Sequence, residues 1–308
     1  MNPTDRRLLL LRRLAGVCVA LLLAVTSLSA YLRLSQAGLG CADWPRCYGQ
    51  SLRELQQGVP VSAEEQVATA GVRLVHRVVA TLALLLVVTM VMVCLGTQPL
   101  LRREGGITLA LLGLALFLTV LGLWSSAARL PAVTMGNLLG GFAMLALCTR
   151  LAVAGTPLRA PGLRLWVVIA ALLLIAQIAL GSLVSSSYAA LSCSGWSDCM
   201  NAARGVGWDT LNPWREPQFN ALPPINPDGA LALALHRGLG ITLAALVVPL
   251  ALAAFRRGRP SSAAALLVLF AAQVVVGLTM TVESLQLQFA LLHNLLAAAL
   301  LAALVVLF

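Results

Sequence analysis

Cys41-Ala-Asp-Trp-Pro-Arg-Cys47 and Cys193-Ser-Gly-Trp-Ser-Asp-Cys199 have the same Cys-x-x-Trp-x-x-Cys spacing, and each follows a long apolar stretch. A His-Arg pair comes next in both cases, His76-Arg77 after the first motif and His236-Arg237 after the second. Two shared motifs in the same order indicate an internal duplication. The chain is therefore expected to consist of two related halves, residues 1–160 and 161–308.

The composition predicts an integral membrane protein. Hydrophobic residues make up 60% of the 308 residues and charged residues 10%, and the mean hydropathy is +0.92. A soluble surface cannot accommodate this composition. About 20 helical residues cross a bilayer core about 30 Å thick. Eight runs are long enough to do so, at about 14–34, 69–95, 106–127, 131–153, 164–187, 230–255, 261–280 and 286–308.

The predicted fold is all-α, with eight transmembrane helices in two tandem four-helix bundles. An even number of helices per half gives both halves the same orientation, so a pseudo-twofold axis along the membrane normal would relate them. The first run is expected to remain as a helix, although its basic start resembles a signal peptide. Its counterpart at 164–187 begins the second half, and removal of the first run would break the repeat.

The arginines predict the orientation of the bundles. Arginine supplies all 21 basic residues, and its clusters, such as 12–13, 102–103 and 256–257, fall at alternate connections between the spans. Basic connections face the cytoplasm, which predicts an inner (plasma) membrane protein with a cytoplasmic N-terminus. The cysteine motifs then lie outside, in long connections at about 35–68 and 188–229 that are expected to form a cap. The sequence has no basic stripe with interleaved aromatics, so no nucleic-acid partner is expected.

The two cysteine pairs are predicted to form disulfides, Cys41 with Cys47 and Cys193 with Cys199, because an outer compartment permits them. Zinc binding is the chief alternative, but neither pair is accompanied by a histidine and four sulfurs would have to converge from two loops. Spacing does not decide between a loop staple and a redox pair. The other cysteines, which are expected to be small buried residues, are Cys18, Cys94 and Cys148.

The chain has three histidines, and each lies close to the outer end of a predicted span. Ionisable residues inside a membrane helix are costly and are candidates for function, and neutral imidazole is a good axial ligand of haem iron. His236 and His293 are predicted to face each other across the C-terminal bundle and bind one iron from both sides. The alternative for any one histidine is an inter-helix hydrogen bond.

The N-terminal half has only one of these ligands. His76 corresponds to His236, but alignment of the shared Asn-Leu-Leu places Gly136 opposite His293. Arg77 and Arg237 are candidates to pair with haem propionates, or they reach the lipid headgroups instead.

Gln177 and Gln273 are intramembrane amides. They are expected to form inter-helix hydrogen bonds, with contact to a ligand as the less favoured alternative.

These motifs resemble the haem A synthase family. The resemblance rests on residues 38–49, Gly-Leu-Gly-Cys-Ala-Asp-Trp-Pro-Arg-Cys-Tyr-Gly, on the two His-Arg pairs and on His293, and it covers essentially the whole chain. It implies an oxidoreductase that converts a ring methyl of haem O to the formyl of haem A by successive hydroxylations, for assembly of the terminal oxidase. It further implies haem b held by His236 and His293, and substrate haem bound near His76.

The resemblance also implies a role in activity for Cys41 and Cys47, and haem O synthase as supplier and partner. Two positions depart from the family pattern. Arg73 stands where the family commonly has Glu, three residues before His76, and Gly136 or Asn137 stands where it usually has a fourth His.

Two other functions are compatible with the same pattern. One is a b-type membrane electron carrier, and the other is a haem-binding oxidase assembly protein without chemistry of its own. The electron acceptor and the oxygen source are not predicted, and a homo-oligomer is compatible with the sequence. Membrane lipid is the remaining expected partner.

Overall fold

The computed structural model describes residues 2–59, 63–125, 130–156, 161–218, 226–282 and 285–307. This part of the chain is helical and contains no strand. Its α-helices are α1 Pro3–Gln36, α2 Gln50–Gln56, α3 Ala63–Leu95, α4 Arg102–Ser125, α5 Pro131–Ala152, α6 Arg164–Ser186, α7 Trp196–Arg204, α8 Ala230–Arg256, α9 Pro260–Val282 and α10 Leu287–Leu307.

The predicted spans are confirmed. Eight helices in the described residues are long and apolar enough to cross a membrane, namely α1, α3, α4, α5, α6, α8, α9 and α10. Each meets the backbone's need for hydrogen bonds within itself, which is the condition for crossing lipid. Large apolar side chains such as Leu82, Phe117 and Val268 lie exposed on the outside of the bundles, where lipid replaces water as the surrounding medium.

The helices pack as two groups of four. In the first half α1 contacts α3 and α5, and α4 contacts α3 and α5; in the second half α8 contacts α6 and α9, and α10 contacts α6 and α9. The groups meet where α1 packs against α10, α5 against α6, and α5 against α10. One cluster of buried apolar residues runs through both groups. Cys18, Cys94 and Cys148 lie in it, and all three are buried and free, as expected.

At the Arg-rich end of the first bundle, two arginines of α1 form hydrogen bonds to main-chain carbonyls near the ends of other helices. The Arg7 guanidinium donates to the carbonyls of Val93 at 2.7 Å, Cys94 at 3.1 Å and Pro99 at 2.8 Å, and Arg12 donates to the carbonyl of Ala154. The last carbonyls of a helix have no partner within the helix, and a cation also complements the helix dipole there. The ends of α3 and α5 are thereby tied to the start of α1.

The first cysteine loop packs against the second half of the chain. Tyr48 is 2% exposed, and its ring centroid lies 5.3 Å from that of Trp44 and 5.4 Å from that of Tyr188. These rings form a cluster with residues at the start of α10, including Leu287. The described part of this loop therefore covers the cysteine-loop end of the bundles, as a cap would.

The second long loop packs against the first half in turn. The amide of Ala132 at the start of α5 donates to the carbonyl of Pro213 at 2.8 Å, and Gln56 in α2 donates to the carbonyl of Pro217 at 3.2 Å. Met135 packs into the cluster that contains Cys193 and its partner. Each half is thus covered in part by the loop of the other.

Helix α3 begins earlier than its hydrophobicity predicts. The apolar run starts near residue 69, whereas α3 starts at Ala63, because Ala, Glu and Gln are good helix formers although they do not belong in lipid. His236 and His293 lie in the second turn of their helices, as expected. His76 lies well inside α3, which begins at Ala63, but it is the eighth residue of the membrane span Thr69–Leu95 and so lies about two turns from the end of that span, as expected.

Substitution of Gly38 by Ala should destabilise the protein. Gly38 has φ +90°, and a Cβ there would lie 2.4 Å from the Cys47 carbonyl oxygen. A left-handed non-glycine residue costs about 1–2 kcal/mol, and displacement of the loop backbone adds to that. Gly58→Ala is the matched control, since Gly58 has φ +78° and open space around it. Thermal unfolding in detergent should show a lower midpoint for Gly38→Ala than for Gly58→Ala; equal midpoints would contradict the contact.

Candidate haem-binding site

His236 and His293 face each other inside the second bundle. Their ring centroids lie 6.4 Å apart with an angle of 64° between the ring planes. Both side chains are half-buried, and they come from α8 and α10, on opposite sides of a bundle completed by α6 and α9. The second turn of each helix places both imidazoles at the same depth.

The spacing of the rings suits one metal ion between them. A metal–nitrogen bond to imidazole is about 2.0–2.1 Å, as for zinc, and the ring centre lies about 1 Å beyond the nitrogen. Two opposed imidazoles on one ion therefore have centroids about 6 Å apart, close to the 6.4 Å observed. The residues present fit a haem held by two axial histidines.

Gln177 on α6 determines which ring nitrogen of neutral His236 carries the proton. The His236 Nδ1 lies 3.2 Å from the main-chain carbonyl oxygen of Gln177, and because a carbonyl can only accept, Nδ1 carries the proton. The Nε2 lone pair is then free for a metal. The Gln177 side-chain amide donates in return to the His236 carbonyl at 2.9 Å. The expected inter-helix hydrogen bond of Gln177 is confirmed.

Arg237 holds the second cysteine loop. Its guanidinium donates to the Ser194 carbonyl at 3.1 Å, to the Gly195 carbonyl at 3.4 Å and to the Cys199 Sγ at 2.8 Å. The arginine that follows His236 thus ties α8 to the second cysteine loop. Its pairing with a propionate stays a prediction.

The second loop is further ordered by Asp198. The Asp198 carboxylate accepts from the Ser194 amide at 2.8 Å and from the Ser194 hydroxyl at 3.0 Å. These hydrogen bonds, with a smaller contribution from the charge of Arg237, lower the pKa of Asp198. The carboxylate is therefore charged at neutral pH and holds the loop at the start of α7.

Both cysteine pairs lie at disulfide distance. The Cα atoms of Cys41 and Cys47 are 6.6 Å apart, and those of Cys193 and Cys199 are 4.9 Å apart. Each bridge closes within its own loop. The zinc alternative would have required the two loops to share one ion.

The N-terminal half lacks an opposed pair of histidines. His76, its one histidine, lies half-buried on α3, and Arg73 and Arg77 lie on the same helix. A Cβ built on Gly136 would lie 2.9 Å from Cδ2 of Leu121 on α4. Leucine side chains from α4 therefore occupy the space beside the position that corresponds to His293.

A polar cluster that the sequence did not predict lies at the junction of the halves, near the cysteine loops. Arg33 on α1 donates to the Ser185 hydroxyl on α6 and lies near Tyr48 and Tyr188. Burial raises the pKa of Tyr188 to about 12 and raises the pKa of Tyr48 as well, so both phenols are neutral at physiological pH. An arginine close to the end of an apolar span was the available signal.

Fold and site together define a class, a polytopic helical membrane protein with two opposed imidazoles inside one bundle. A family model described as cytochrome oxidase assembly protein, COX15-CtaA, matches residues 12–305. The chain belongs to this family. It is also similar to the heme A synthase of Shewanella oneidensis. The two are 31% identical over an alignment of 318 positions, which covers 95% of this chain and 94% of the relative. The resemblance inferred from the motifs is confirmed.

Replacement of Arg237 by Ala should loosen the second cysteine loop. Loss of a charged donor costs about 1.5–3 kcal/mol, so amide hydrogen exchange in residues 193–204 should become on the order of tenfold faster or more. Arg77→Ala is the matched control, since it follows the corresponding histidine in the other half. Unchanged exchange in Arg237→Ala would show that the loop does not depend on this arginine.

Proposed function

We propose that the chain is a haem A synthase that oxidises a ring methyl of haem O to the formyl group of haem A. The observation that carries the proposal is the full-length similarity to a protein named heme A synthase, combined with two imidazoles spaced to hold one haem iron. The family match places the activity in cytochrome oxidase assembly.

The second half holds haem b through His236 and His293. Two neutral imidazoles favour a low-spin iron that changes oxidation state with little rearrangement, and this haem supplies one-electron transfer when it is bound. The Gln177 carbonyl keeps His236 in the tautomer that binds through Nε2. Arg237 and the second cysteine loop cover the outer end of this site and restrict water.

The first half binds haem O as substrate, near His76. Residues around this histidine, including Leu74, Val75 and Val78, are at least half exposed on the outside of α3, so an apolar ring system has a path from lipid. A substrate must leave after reaction, and a site with one imidazole holds it less firmly than a site with two. Burial of porphyrin surface contributes about 25 cal/mol per Å², so a second axial ligand is not required for binding.

The chemistry consists of two successive hydroxylations of one methyl group, each of which replaces a C–H bond by a C–O bond and passes two electrons from the carbon to an external oxidant, followed by loss of water from the diol to leave the formyl group. His76 binds and orients the substrate. Arg77 is positioned on the next residue to pair with a propionate, and Arg73, one helical turn away on α3, adds a second positive charge. The first cysteine loop packs between the halves at the outer surface, where it can communicate with both sites.

The two halves are related by a pseudo-twofold axis along the membrane normal. The first helix of each half contacts the last helix of the other half, α1 with α10 and α6 with α5, which is the pattern that such an axis requires. The N-terminus lies in the cytoplasm and the cysteine loops lie outside the inner membrane, as the distribution of arginine predicts. Haem O synthase in the same membrane is the expected supplier.

The activity is tested in an oxidase-bearing host that lacks its own haem A synthase. Expression of this chain with haem O synthase should convert haem O to haem A, measured by extraction and mass analysis of membrane haems. His76→Ala should leave haem O unconverted. Haem O alone, with a folded protein that carries haem b, would contradict the enzyme and favour an electron carrier or an assembly protein.

Single histidine variants separate the two sites. His236→Ala or His293→Ala should abolish the low-spin haem spectrum of the purified protein, because one axial ligand is lost. His76→Ala should keep that spectrum and lose turnover. A low-spin spectrum that persists in both of the first two variants would exclude them as the axial pair.

A further inference from the structure

The second bundle contains a repeated five-residue segment that the duplication of the two halves does not explain. Gln177-Ile-Ala-Leu-Gly181 on α6 and Gln273-Val-Val-Val-Gly277 on α9 share the pattern Gln-x-x-x-Gly. Residues four apart in a helix lie on the same face, so each glutamine lies one turn from its glycine. Helix α6 packs against α8, which carries His236, and α9 packs against α10, which carries His293.

Each glycine receives the imidazole of the neighbouring helix. A Cβ on Gly181 would lie 2.8 Å from Cε1 of His236 and 3.3 Å from its Nδ1. A Cβ on Gly277 would lie 3.1 Å from Cε1 of His293 and 3.5 Å from its Nδ1. Both rings present the same edge, Cε1 and Nδ1, to their glycine. A methyl group on either glycine would lie too close to that edge.

The glutamines lie beside the same ring edges. Nδ1 of His236 donates to the Gln177 main-chain carbonyl at 3.2 Å. The Gln273 main chain lies near His293, but Nδ1 of His293 has no partner within hydrogen-bond geometry among the described residues, and neither has the side-chain oxygen of Gln177 or of Gln273. A buried unpaired nitrogen is costly, and the Gln273 carbonyl is the acceptor that corresponds to the Gln177 carbonyl.

The first half lacks the Gln-x-x-x-Gly pattern at the corresponding positions of its helices. At the same distance before its cysteine motif, α1 has Val25 and Ser29, and α4 reads Leu118-Thr-Val-Leu-Gly122. Leu118 contacts Gly140 on α5, and a Cβ there would lie 2.5 Å from the leucine Cδ2. Helix α4, which corresponds to α9, has leucine where α9 has glutamine, so it lacks the side-chain amide through which Gln177 bonds the facing helix.

We propose that Gln177–Gly181 and Gln273–Gly277 are positioning elements for the two axial histidines. Each glycine lets an imidazole pack against the backbone of the neighbouring helix, and the main-chain carbonyl of each glutamine accepts a hydrogen bond from Nδ1, so that Nε2 of both rings is left free to bind one iron. The inference rests on the proposed haem between His236 and His293. It explains why only this half carries two glutamine–glycine pairs, since a permanent cofactor needs two fixed ligands and a substrate does not.

The test uses the purified full-length protein with its bound haem. Gly181→Ala and Gly277→Ala are compared with Gly240→Ala, which lies on α8 near His236 and whose added Cβ would lie at an ordinary 3.5 Å from the Gln177 amide nitrogen. The readouts are haem content per protein, the low-spin electron paramagnetic resonance signal and the reduction potential. Loss of a group that orients a metal ligand commonly weakens metal affinity about 10–100-fold.

We expect Gly181→Ala to weaken haem binding most and to shift the low-spin signal, because its contact is the shortest. Gly277→Ala should have a smaller effect in the same direction, and Gly240→Ala should match the wild type. If Gly181→Ala does not fold, Gly277→Ala carries the same test at its milder contact. Wild-type signals in folded Gly181→Ala and Gly277→Ala would overturn the positioning role while leaving haem binding intact. A wild-type protein without haem would overturn the proposed function itself.

Discussion

The low dielectric of the bilayer is the constraint on which the rest of this structure depends. It forces the backbone into helices that satisfy their own hydrogen bonds, and it makes every polar side chain inside those helices costly unless a partner is present. The reciprocal contact between Gln177 and His236 meets that requirement twice, once through each main-chain carbonyl. The same contact uses Nδ1 of His236 and leaves Nε2 without a hydrogen bond, so that Nε2 is a candidate metal ligand.

The two halves have the same arrangement of four helices but differ in what packs inside it. In the second half, glycines on α6 and α9 let two imidazoles approach the helix backbones and oppose each other. In the first half, leucines from α4 fill the corresponding space against Gly136 and Gly140. In the function proposed above, two histidine ligands suit a resident cofactor, and one suits a molecule that must come and go.

The two cysteine loops connect the halves. The first cysteine loop packs onto Tyr188 and α10, while the second loop reaches the start of α5. Arg33 lies at this junction and bonds to Ser185 of the other half. Each half is thus in contact with a loop of the other, so the two bundles are not independent units.

Much of the architecture follows from the sequence alone, because hydrophobic run length, arginine clusters and motif order are properties of short segments. The eight spans, the closeness of each cysteine pair within its own loop, the burial of Cys18 and the position of His236 and His293 near one end of their helices were all predictable. Only the tertiary structure decided which faces of the helices meet. The rotation of each helix about its axis depends on packing against distant residues, which local periodicity in a uniformly apolar segment does not encode. For that reason three features could be read only from the packed bundles. These are the close approach of an imidazole to Gly181 and to Gly277, the hydrogen bonds of Arg237 to the second loop, and the packing of a leucine beside Gly136.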